Sequence, residues 1–398
     1  MTTVAEVVRS DLCIGCGLCE SVTCGRVSMS MTDGGSLRPV PLDGFTASEE
    51  QAVLAACPGV VATSRDDGAP HRDLVWGAYR SIVMAWASDP IVRHRSSTGG
   101  VLTAIGQYLL RAGRVGFVLH VGPDPDRPTR SRWVMSETPD EVLANSGSRY
   151  SPTAPLAGLG GALGRSEPFA LIAKPCDLGA VHRYATVDER VDRLCVARLA
   201  MVCGGQSRLT KTTALLDRFG LSEDDVETLR YRGNGNPGPT RIDTTDGAAH
   251  EATYLEMWAE ESGWDLETRC KLCPDALGEC ADVAALDAWP GGAPVGEDAG
   301  FNAIVVRTAV GESIVDDASA ANALVVGDPL TPDVLNHFQP HQVRKKIALA
   351  HRYEGAVLAG VAPIETTGLR IKALGALFEG DPISERDGAR RRMERARR

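Results

Sequence analysis

Three cysteines within seven residues near the N-terminus constrain this chain more than any other feature. Cys13, Cys16 and Cys19 follow a C-x2-C-x2-C spacing with a glycine in each interval. Three thiolates on so tight a loop can each bind one iron of a four-iron cluster, and a distant Cys-Pro can supply the fourth ligand. Cys57 precedes Pro58 and fits that place. We therefore predict one [4Fe–4S] cluster held by Cys13, Cys16, Cys19 and Cys57.

Two alternatives to this assignment concern the fourth ligand and the metal. In two-cluster bacterial ferredoxins the first cysteine run ends with a fourth cysteine, which binds the other cluster. Cys24 stands one residue beyond that place. We interpret Cys24 as a spare thiol, although it competes with Cys57 for the fourth position. Zinc also binds four thiolates, but zinc sites usually pair two C-x2-C units, so the spacing favours iron–sulfur.

A second group of cysteines lies in the middle of the chain. Cys270 and Cys273 form another C-x2-C, while Cys176 and Cys203 each follow an apolar run that is typical of a strand. Residues after the carboxyl ends of strands in α/β sheets face a shared ligand crevice. We expect these four cysteines to meet there as a second [4Fe–4S] site. Zinc or a redox dithiol would fit Cys270 and Cys273 nearly as well.

The rest of the composition is that of an ordinary globular protein. The 398 residues include 42 basic and 52 acidic side chains, so the net charge of −10 argues against general nucleic-acid binding. No apolar run approaches the length of a membrane span, and no signal peptide follows Met1, so we expect a cytoplasmic protein. Structural disulfides are rare in that compartment. Cys195 is expected to pack in the core, and Cys280 either to pack or to face the second site.

Alternating helical and strand-like patterns predict an α/β or α+β fold, with helices covering a sheet. Val115–Val121 and Phe169–Ala173 are predicted strands, and Val101–Leu110 is a predicted helix. The polar segment Ser64–Pro70 is a predicted boundary. The end of the chain, Ser384–Arg398, has seven arginines against three acids, and we interpret it as a charged helix or a solvated end. The resulting division is 1–65, with the first cysteine motif, then 71–155, 156–365 and a charged tail, 366–398.

Polar residues and glycines precede the predicted helix Val101–Leu110 and form a candidate anion-binding loop. Hydroxyl groups, free N–H groups and the helix dipole there favour an anion such as a flavin pyrophosphate, and glycine lets the backbone approach a ligand closely. An ordinary helix cap explains the same residues. The loop consists of Ser97, Thr98, Gly99 and Gly100.

Two further groups of polar residues are candidates for the same site. Ser148, Arg149 and Tyr150 could bind a phosphate and stack on a ring, or form a plain turn. Asp282 and Asp287 follow the second cysteine pair, where a carboxylate beside a redox centre can relay protons. Exposed loop acids would give the same pattern.

Taken together, these stretches resemble the family of beta subunits of coenzyme F420-reducing hydrogenase and F420-linked dehydrogenases. Relatives in that family include 7-hydroxymethyl chlorophyll a reductase and a ferredoxin-dependent divinyl chlorophyllide 8-vinyl reductase. The resemblance covers roughly residues 5–330 and depends on the motifs as a set. The matching stretches are Val75–Tyr79, Arg95–Ala104, Ser148–Tyr150, Lys174–Asp177, Arg269–Asp275, Ala281–Val283, Asp287–Trp289 and Gly300–Thr308.

The resemblance implies a small, degenerate ferredoxin-like unit followed by a mixed α/β core that binds FAD. It implies flavin binding by Ser97–Gly100, with Ser148, Arg149, Tyr150 and Lys174 as flavin neighbours and a second cluster on Cys176, Cys203, Cys270 and Cys273. Our candidates for catalysis are Lys174, Asp282 and Asp287.

The implied activity is that of an iron–sulfur flavoprotein oxidoreductase. Such a protein would move electrons between a one-electron donor such as ferredoxin and a hydride carrier, most simply coenzyme F420. The chain departs from the family pattern in its single N-terminal cluster motif and in its length. Reduction of a small organic or tetrapyrrole substrate therefore stays open, as does a non-catalytic role as an electron-transfer component of a larger complex or a homo-oligomer.

Overall fold

The computed structural model describes residues 1–396 and contains five sheets. Its strands, in chain order, are β1 (Ser28–Met31), β2 (Leu37–Val40), β3 (Val61–Thr63), β4 (His71–Asp73), β5 (Gly77–Tyr79), β6 (Ser81–Ala87), β7 (Phe117–Pro123), β8 (Ser131–Ser136), β9 (Phe169–Ala173), β10 (Cys195–Met201), β11 (Val226–Arg230), β12 (Thr240–Thr244), β13 (Ala249–Ala252), β14 (Val283–Asp287), β15 (Asn302–Val306), β16 (Leu324–Pro329) and β17 (Glu365–Thr367).

Helices separate most of these strands. They are α1 (Val4–Arg9), α2 (Leu18–Val22), α3 (Ala47–Ala56), α4 (Pro90–Arg95), α5 (Val101–Arg111), α6 (Pro139–Ala144), α7 (Leu159–Gly164), α8 (Pro175–Tyr184), α9 (Arg190–Leu194), α10 (Leu209–Phe219), α11 (Tyr254–Trp258), α12 (Thr268–Lys271), α13 (Ala309–Ala320), α14 (Pro332–Phe338), α15 (Pro340–Ile347), α16 (Leu349–Leu358), α17 (Ile371–Gly375) and α18 (Pro382–Ala396). Short 3₁₀ turns lie at Pro155–Gly158, Glu223–Asp225, Glu261–Trp264 and Pro290–Gly292.

An eight-stranded mixed sheet organises the molecule, in the order β16-β6-β15-β14-β10-β9-β7-β8. The four central strands, β14, β10, β9 and β7, are parallel, and antiparallel strands flank them on both sides. The predicted α/β class and the predicted strand Phe169–Ala173 are confirmed. The strand predicted at Val115–Val121 begins two residues later, at Phe117. Parallel central strands bring their carboxyl ends to one edge, where open α/β sheets bind ligands.

Alternating side chains along the central strands build a core on each face of the sheet. Phe117 and Phe169 stack at 5.2 Å on one face, with α7 and α8 packed over them. Val118 and Ala170 point to the other face, against α5 and α13. Successive side chains of a strand point to opposite faces, and here both faces are buried, as is usual for parallel strands covered by helices. No helix among the described residues is long and apolar enough to cross a membrane.

The C-terminal segment packs on the N-terminal unit. Strand β17 pairs in parallel with β3, and α18 crosses α16 where Gly355 meets the backbone of Arg386. Ala389 and Met393 are buried in this contact. The tail therefore forms the expected charged helix, but the expectation of a solvated end is wrong for its described part, because one side is packed. Residues 397 and 398 of the predicted tail lie outside the described residues.

A buried ion group joins the C-terminal helices to the segment that follows the second cysteine pair. Glu279 is 1% exposed. It accepts hydrogen bonds from Lys346 on α15 and, at 2.7 Å and 2.8 Å, from Arg370. Burial would raise the pKa of Glu279, but these two cations outweigh burial and lower it. Because the carboxylate is ionised and paired, α15 is held firmly against the core.

Candidate functional site

A large cavity of about 580 Å³ opens at the carboxyl edge of the central strands. Lys174 directly follows β9, Cys203 lies two residues beyond β10, and Asp287 ends β14. All three line the cavity. The cavity therefore lies at the carboxyl ends of the parallel strands, which is where open α/β sheets bind ligands. Its volume is within the range of small-molecule and cofactor sites.

The loop before α5 forms one wall of this cavity. The Ser97 hydroxyl accepts hydrogen bonds from Ser148 N at 2.6 Å and Ser148 Oγ at 2.9 Å. The Thr98 hydroxyl donates to Asp287 Oδ1 at 2.8 Å. Three of the four predicted loop residues, Ser97, Thr98 and Gly100, line the cavity, together with Leu102 from the first turn of α5. The structure thus brings the two predicted polar loops together.

Helix α5 begins in this wall with free backbone donors. Gly100 is its N-cap with φ of 76°, and no side chain of the described residues caps the helix there. Val101 N reaches only Asn302 Oδ1, at 3.4 Å. The amide groups of the first turn carry the partial positive charge of the helix dipole, so this end of α5 attracts an anion.

Gly99 has a different role from the one expected for it. It does not line the cavity. A Cβ there would lie 2.7 Å from Asn302 Oδ1, 2.8 Å from Asn302 N and 3.1 Å from Ala85 O. The expectation that glycine lets the backbone approach a cofactor is therefore wrong for Gly99, because its missing side chain makes room for β15 and β6.

Arg149 lines the cavity, but its guanidinium is already committed to the protein. It donates to Ser131 Oγ and to three backbone carbonyls, at distances between 2.6 and 3.0 Å. Burial lowers its pKa. Arg149 therefore anchors the 145–150 loop to the protein. Only one of the five guanidinium N–H groups is left, and a bidentate hydrogen bond to a phosphate needs two. Its carbonyl acceptors are those of Pro128, Arg130 and Leu229.

Tyr150 belongs to an aromatic cluster on the cavity wall. Its ring lies 4.1 Å from that of Trp258 and 5.7 Å from that of Tyr231. These residues come from the three-stranded sheet β11-β12-β13 and the helix that follows it. The aromatic side chain expected to stack on a ring therefore lies among other rings at the cavity wall.

Arg232 is a cavity residue that no sequence motif indicated. It is 3% exposed, and its guanidinium lies over the rings of Tyr254 and Trp289, at 5.2 and 4.7 Å. It pairs with Asp287 at 3.0 Å and donates to Ser97 O at 2.7 Å. The only local signal in the sequence is the run of glycine and asparagine that follows it, residues 233–238, which predicts a tight loop.

Several buried polar atoms on the cavity wall have no hydrogen-bond partner among the described residues. Most of them are N–H groups or ring nitrogens, and one is a carboxylate oxygen. Buried polar groups in native proteins are nearly always satisfied, so a cluster of orphans in one cavity points to a polar ligand. These atoms are Arg232 Nε, Trp258 Nε1, Trp289 Nε1, His341 Nε2, Asp177 Oδ1 and Ser146 Oγ.

The first thiol set, Cys13, Cys16, Cys19 and Cys57, forms one group in the structure. The charges of the four sulfurs act on one another. Burial raises the pKa of Cys57 to about 12. Backbone N–H groups of Gly15, Leu18 and Gly59 lie near three of the sulfurs and favour their thiolate forms. Cys24 is exposed and lies instead beside Tyr184 and Arg190.

The second thiol set, Cys176, Cys203, Cys270 and Cys273, lines a single narrow cleft. Burial raises the pKa of Cys270 to about 12, and Gln206 N donates to its sulfur at 3.3 Å. Cys195 and Cys280 do not join the set. Both are buried, and the Cys280 thiol donates to Thr63 O at 3.1 Å, so packing is the outcome for both.

Neither thiol set is arranged to hold a single ion. Within residues 1–396, no group of three or more His, Cys, Asp or Glu side chains is placed to bind one metal ion. A four-iron cluster takes one thiolate on each iron, so its ligands stand farther apart than those of a single ion.

The second thiol set adjoins the large cavity, and a residue that they share also contacts the first cysteine motif. The cleft of the second thiol set and the large cavity are both lined by Lys174, Cys203, Gly205 and Gln206. Gln206 Nε2 also donates to Ile14 O, inside the first cysteine motif, at 3.1 Å. The three sites therefore adjoin one another in a series.

Lys174 carries a positive charge on this shared wall. Its ammonium lies 2.8 Å from Asp177 Oδ2 and donates to Thr153 Oγ1 at 2.7 Å. Burial would lower its pKa, but the Asp177 carboxylate and the Cys176 sulfur outweigh burial and raise it. Lys174 is therefore protonated where the second thiol set meets the cavity.

Asp282 is not part of this site. Its carboxylate accepts hydrogen bonds from Arg65 Nη1, Thr308 Oγ1 and Arg198 N, at 2.7 to 3.0 Å. Strand β14 separates it from Asp287, so the two acids lie at opposite edges of the sheet. The expectation that both flank one redox centre is therefore wrong for Asp282, which ties loops together.

Two family models match this chain. The model for the C terminus of the coenzyme F420 hydrogenase/dehydrogenase beta subunit matches residues 166–331, and the N-terminal model matches residues 82–159. Together they span more than half of the chain. This chain belongs to the family of coenzyme F420 hydrogenase/dehydrogenase beta subunits. The resemblance inferred from the motifs is confirmed, and with it the oxidoreductase class.

Relatives in this family share about a quarter of the aligned residues or less. A component of the F420H2 dehydrogenase of Methanosarcina mazei is 23% identical over 322 residues, which covers 79% of this chain and 84% of that protein. The coenzyme F420 hydrogenase beta subunit of Methanothermobacter thermautotrophicus is 24% identical over 255 residues, covering 62% and 84%.

A solved structure shares the fold. A chain of the F420-reducing [NiFe] hydrogenase complex from Methanosarcina barkeri has a TM-score of 0.57 at 18% identity, covering 74% of this chain and 98% of that chain. At this identity the likeness concerns the fold alone.

The packing at Gly99 predicts a loss of stability when a single methyl group is added. Gly99→Ala places a Cβ against Asn302 and Ala85, and overpacking of this kind costs about 1–3 kcal/mol of unfolding free energy. The measurement is the urea midpoint of each purified variant.

Gly164→Ala is the matched control. It adds the same methyl group at the end of α7, where nothing lies within 4 Å, so its midpoint should equal or slightly exceed that of the unsubstituted chain. Equal midpoints for Gly99→Ala and Gly164→Ala would contradict the packing role.

Proposed function

We propose that this chain is an F420-linked iron–sulfur flavoprotein subunit of an oxidoreductase. It would bind two [4Fe–4S] clusters and one FAD, and exchange electrons between a one-electron protein carrier such as ferredoxin and coenzyme F420. The observation that carries the proposal is the series of adjoining sites, in which the second thiol set shares Lys174, Cys203 and Gln206 with the large cavity.

The chemistry of the two thiol sets supports iron–sulfur ligation. Each set supplies four thiols, which is the donor set of a [4Fe–4S] cluster. Burial raises the pKa of Cys16 and Cys176 well above their ordinary value, so their thiolates need a nearby positive core to form. The backbone N–H of Gln206 donates to the Cys270 sulfur, and backbone N–H groups lie near sulfurs of the first set. Hydrogen bonds to the sulfurs tune bound clusters.

The large cavity supports a dinucleotide such as FAD. The free N–H groups at the start of α5 suit a diphosphate, and Ser97 and Ser148 place hydroxyl groups beside them. Arg232, held by Asp287, presents a positive charge at the cavity wall, where charge beside a flavin ring tunes its electronics. When bound, the clusters supply single-electron storage, and the flavin supplies exchange between single electrons and a hydride.

The chain's own residues would orient the cofactor and hold protons. Lys174 Nζ holds a proton on the wall shared by the cavity and the second thiol set. The Tyr150 and Trp258 rings cover part of the cavity wall and exclude water there. Coenzyme F420 is proposed as the hydride partner because the relatives in Methanosarcina mazei and Methanothermobacter thermautotrophicus carry F420 in their names.

Metal and flavin content, together with turnover, test this proposal. The chain purified without oxygen should contain about eight iron atoms and one FAD, and should reduce F420 with a reduced low-potential donor or oxidise its reduced form. Zinc in place of iron would contradict the proposal, as would a colourless chain after reconstitution with iron, sulfide and FAD.

A pair of cysteine variants tests the fourth ligand of the first cluster. Cys57→Ser removes a thiol that lies with Cys13 and Cys16, so it should abolish or alter one of the two paramagnetic signals of the reduced protein. Cys24→Ser is the control and should keep both signals, since Cys24 lies elsewhere on the surface. Loss of the signal in Cys24→Ser alone would reverse the assignment.

A charge placed at the start of α5 tests the flavin site. Leu102→Asp adds a carboxylate beside the proposed diphosphate position, and the helix dipole favours an acid at this end, so the helix should stay intact. FAD affinity should fall at least about tenfold, since repulsion of roughly 1.4 kcal/mol suffices, with the iron content unchanged.

Leu102→Asn is the matched neutral control and should retain FAD. Equal FAD affinity of the two variants would contradict the assignment of the diphosphate to the start of α5.

A further inference from the structure

Two buried cations beside the second thiol set have no carboxylate partner. Lys345 is 3% exposed and Arg269 is 2% exposed. Both line the cleft between the four sulfurs. No acid of the described residues lies within ion-pair distance of either side chain, although the chain forms many other ion pairs.

Lys345 approaches the second thiol set from α15. Its ammonium donates to Gly204 O at 2.9 Å, in the segment that carries Cys203. Glu261 is the acid whose charge Lys345 acts on, but that carboxylate forms its ion pair with Lys271. The ammonium charge is therefore not neutralised by a neighbouring acid.

Arg269 stands between the two thiol sets. Its guanidinium donates twice to Pro58 O, at 3.1 and 2.9 Å, beside Cys57 of the first set. A carbonyl satisfies N–H groups, but it does not neutralise a charge.

The other charged groups of the cleft are matched. Lys174 is paired with Asp177. Asp275 accepts hydrogen bonds from the backbone N–H groups of Leu277, Gly278 and Glu279, and the cations that act on its charge are Lys346 and Arg307, outside the cleft. Two positive charges are therefore left over, and an unpaired buried charge is strongly unfavourable unless an anion faces it. A [4Fe–4S] core of formal charge two plus, with four thiolates, is a dianion and would balance them.

We infer that Lys345 and Arg269 are the charge-balancing residues of the second cluster, and that they raise its reduction potential above that of the first. This inference rests on the proposed function. A nearby cation stabilises the reduced state of a cluster because that state carries one more negative charge.

The first thiol set has a smaller surplus, because it shares Arg269, which acts on Cys57, whereas Lys345 acts on Cys203 and Cys270 of the second set. Arg38 is the cation that acts on Cys13, and it is paired with Asp11 at 2.9 Å and with Glu267 at 2.8 Å. The difference between the two surroundings favours electron movement toward the second set and hence toward the large cavity.

Lys345 also lies outside the part of the chain that carries the family signature. The two family models match residues 82–159 and 166–331, whereas Lys345 is on α15. The neighbouring Lys346 anchors that helix through Glu279. The C-terminal segment therefore supplies a functional side chain to a site built from family residues.

The test is a redox titration followed by electron paramagnetic resonance on Lys345 variants of the full chain. Lys345→Met removes the charge and keeps the length of the side chain. The second cluster should shift to lower potential, with at least a tenfold change in its reduced-to-oxidised ratio at fixed potential, about 59 mV for one electron. The first cluster and the iron content should not change.

Two controls separate charge from packing. Lys345→Arg keeps the charge and should restore the potential. Lys372→Met removes a charge from the exposed face of α17 and should change nothing. Loss of about four irons in Lys345→Met that Lys345→Arg restores would also support the inference, because the charge would then be needed for assembly.

The contradicting outcomes are distinct from failure of the proposed function. Unchanged potential and iron in Lys345→Met, equal effects of Lys345→Met and Lys345→Arg, or a second cluster of lower potential than the first would each overturn this inference alone. An unsubstituted chain without iron after reconstitution would overturn the proposed function itself.

Discussion

Eight buried or half-buried cysteine thiols, gathered from distant parts of the sequence into two groups, are the constraint around which this molecule is arranged. The sulfurs of each group become thiolates only beside a positive partner, since thiols that are close together and shielded from water do not ionise readily without one. The central parallel strands bring two of these cysteines together, because Cys176 and Cys203 follow neighbouring strands at the same edge of the sheet. The large cavity opens at that edge as well, so one feature of sheet topology positions both the second thiol set and the cavity.

The parts of this arrangement that depend on local pattern could be predicted from the sequence. Cys176 and Cys203 can be placed together because strands in an α/β sheet end at a common crevice. Helix α5 follows from its apolar spacing. In each case the relevant information lies within a short window of residues.

The parts that depend on distant packing could not be predicted. Arg232 reaches the cavity from a separate three-stranded sheet, and no local signal says which cavity its side chain enters. Gly99 is needed because Asn302, about two hundred residues later, packs against it. Asp282 and Asp287 are equivalent in their sequence pattern, but β14 places them at opposite edges of the sheet. The motif of Arg149 predicts a ligand contact, and its guanidinium is held by backbone carbonyls instead.

The central claim is that one chain holds two clusters and a flavin in series, and a count of electrons tests it most directly. A reductive titration under anaerobic conditions, followed by visible absorbance, measures how many electrons each chain accepts. The account predicts about four electrons per chain, one for each cluster and two for the flavin. Uptake of only about two electrons, with flavin bleaching and no cluster absorbance, would contradict it.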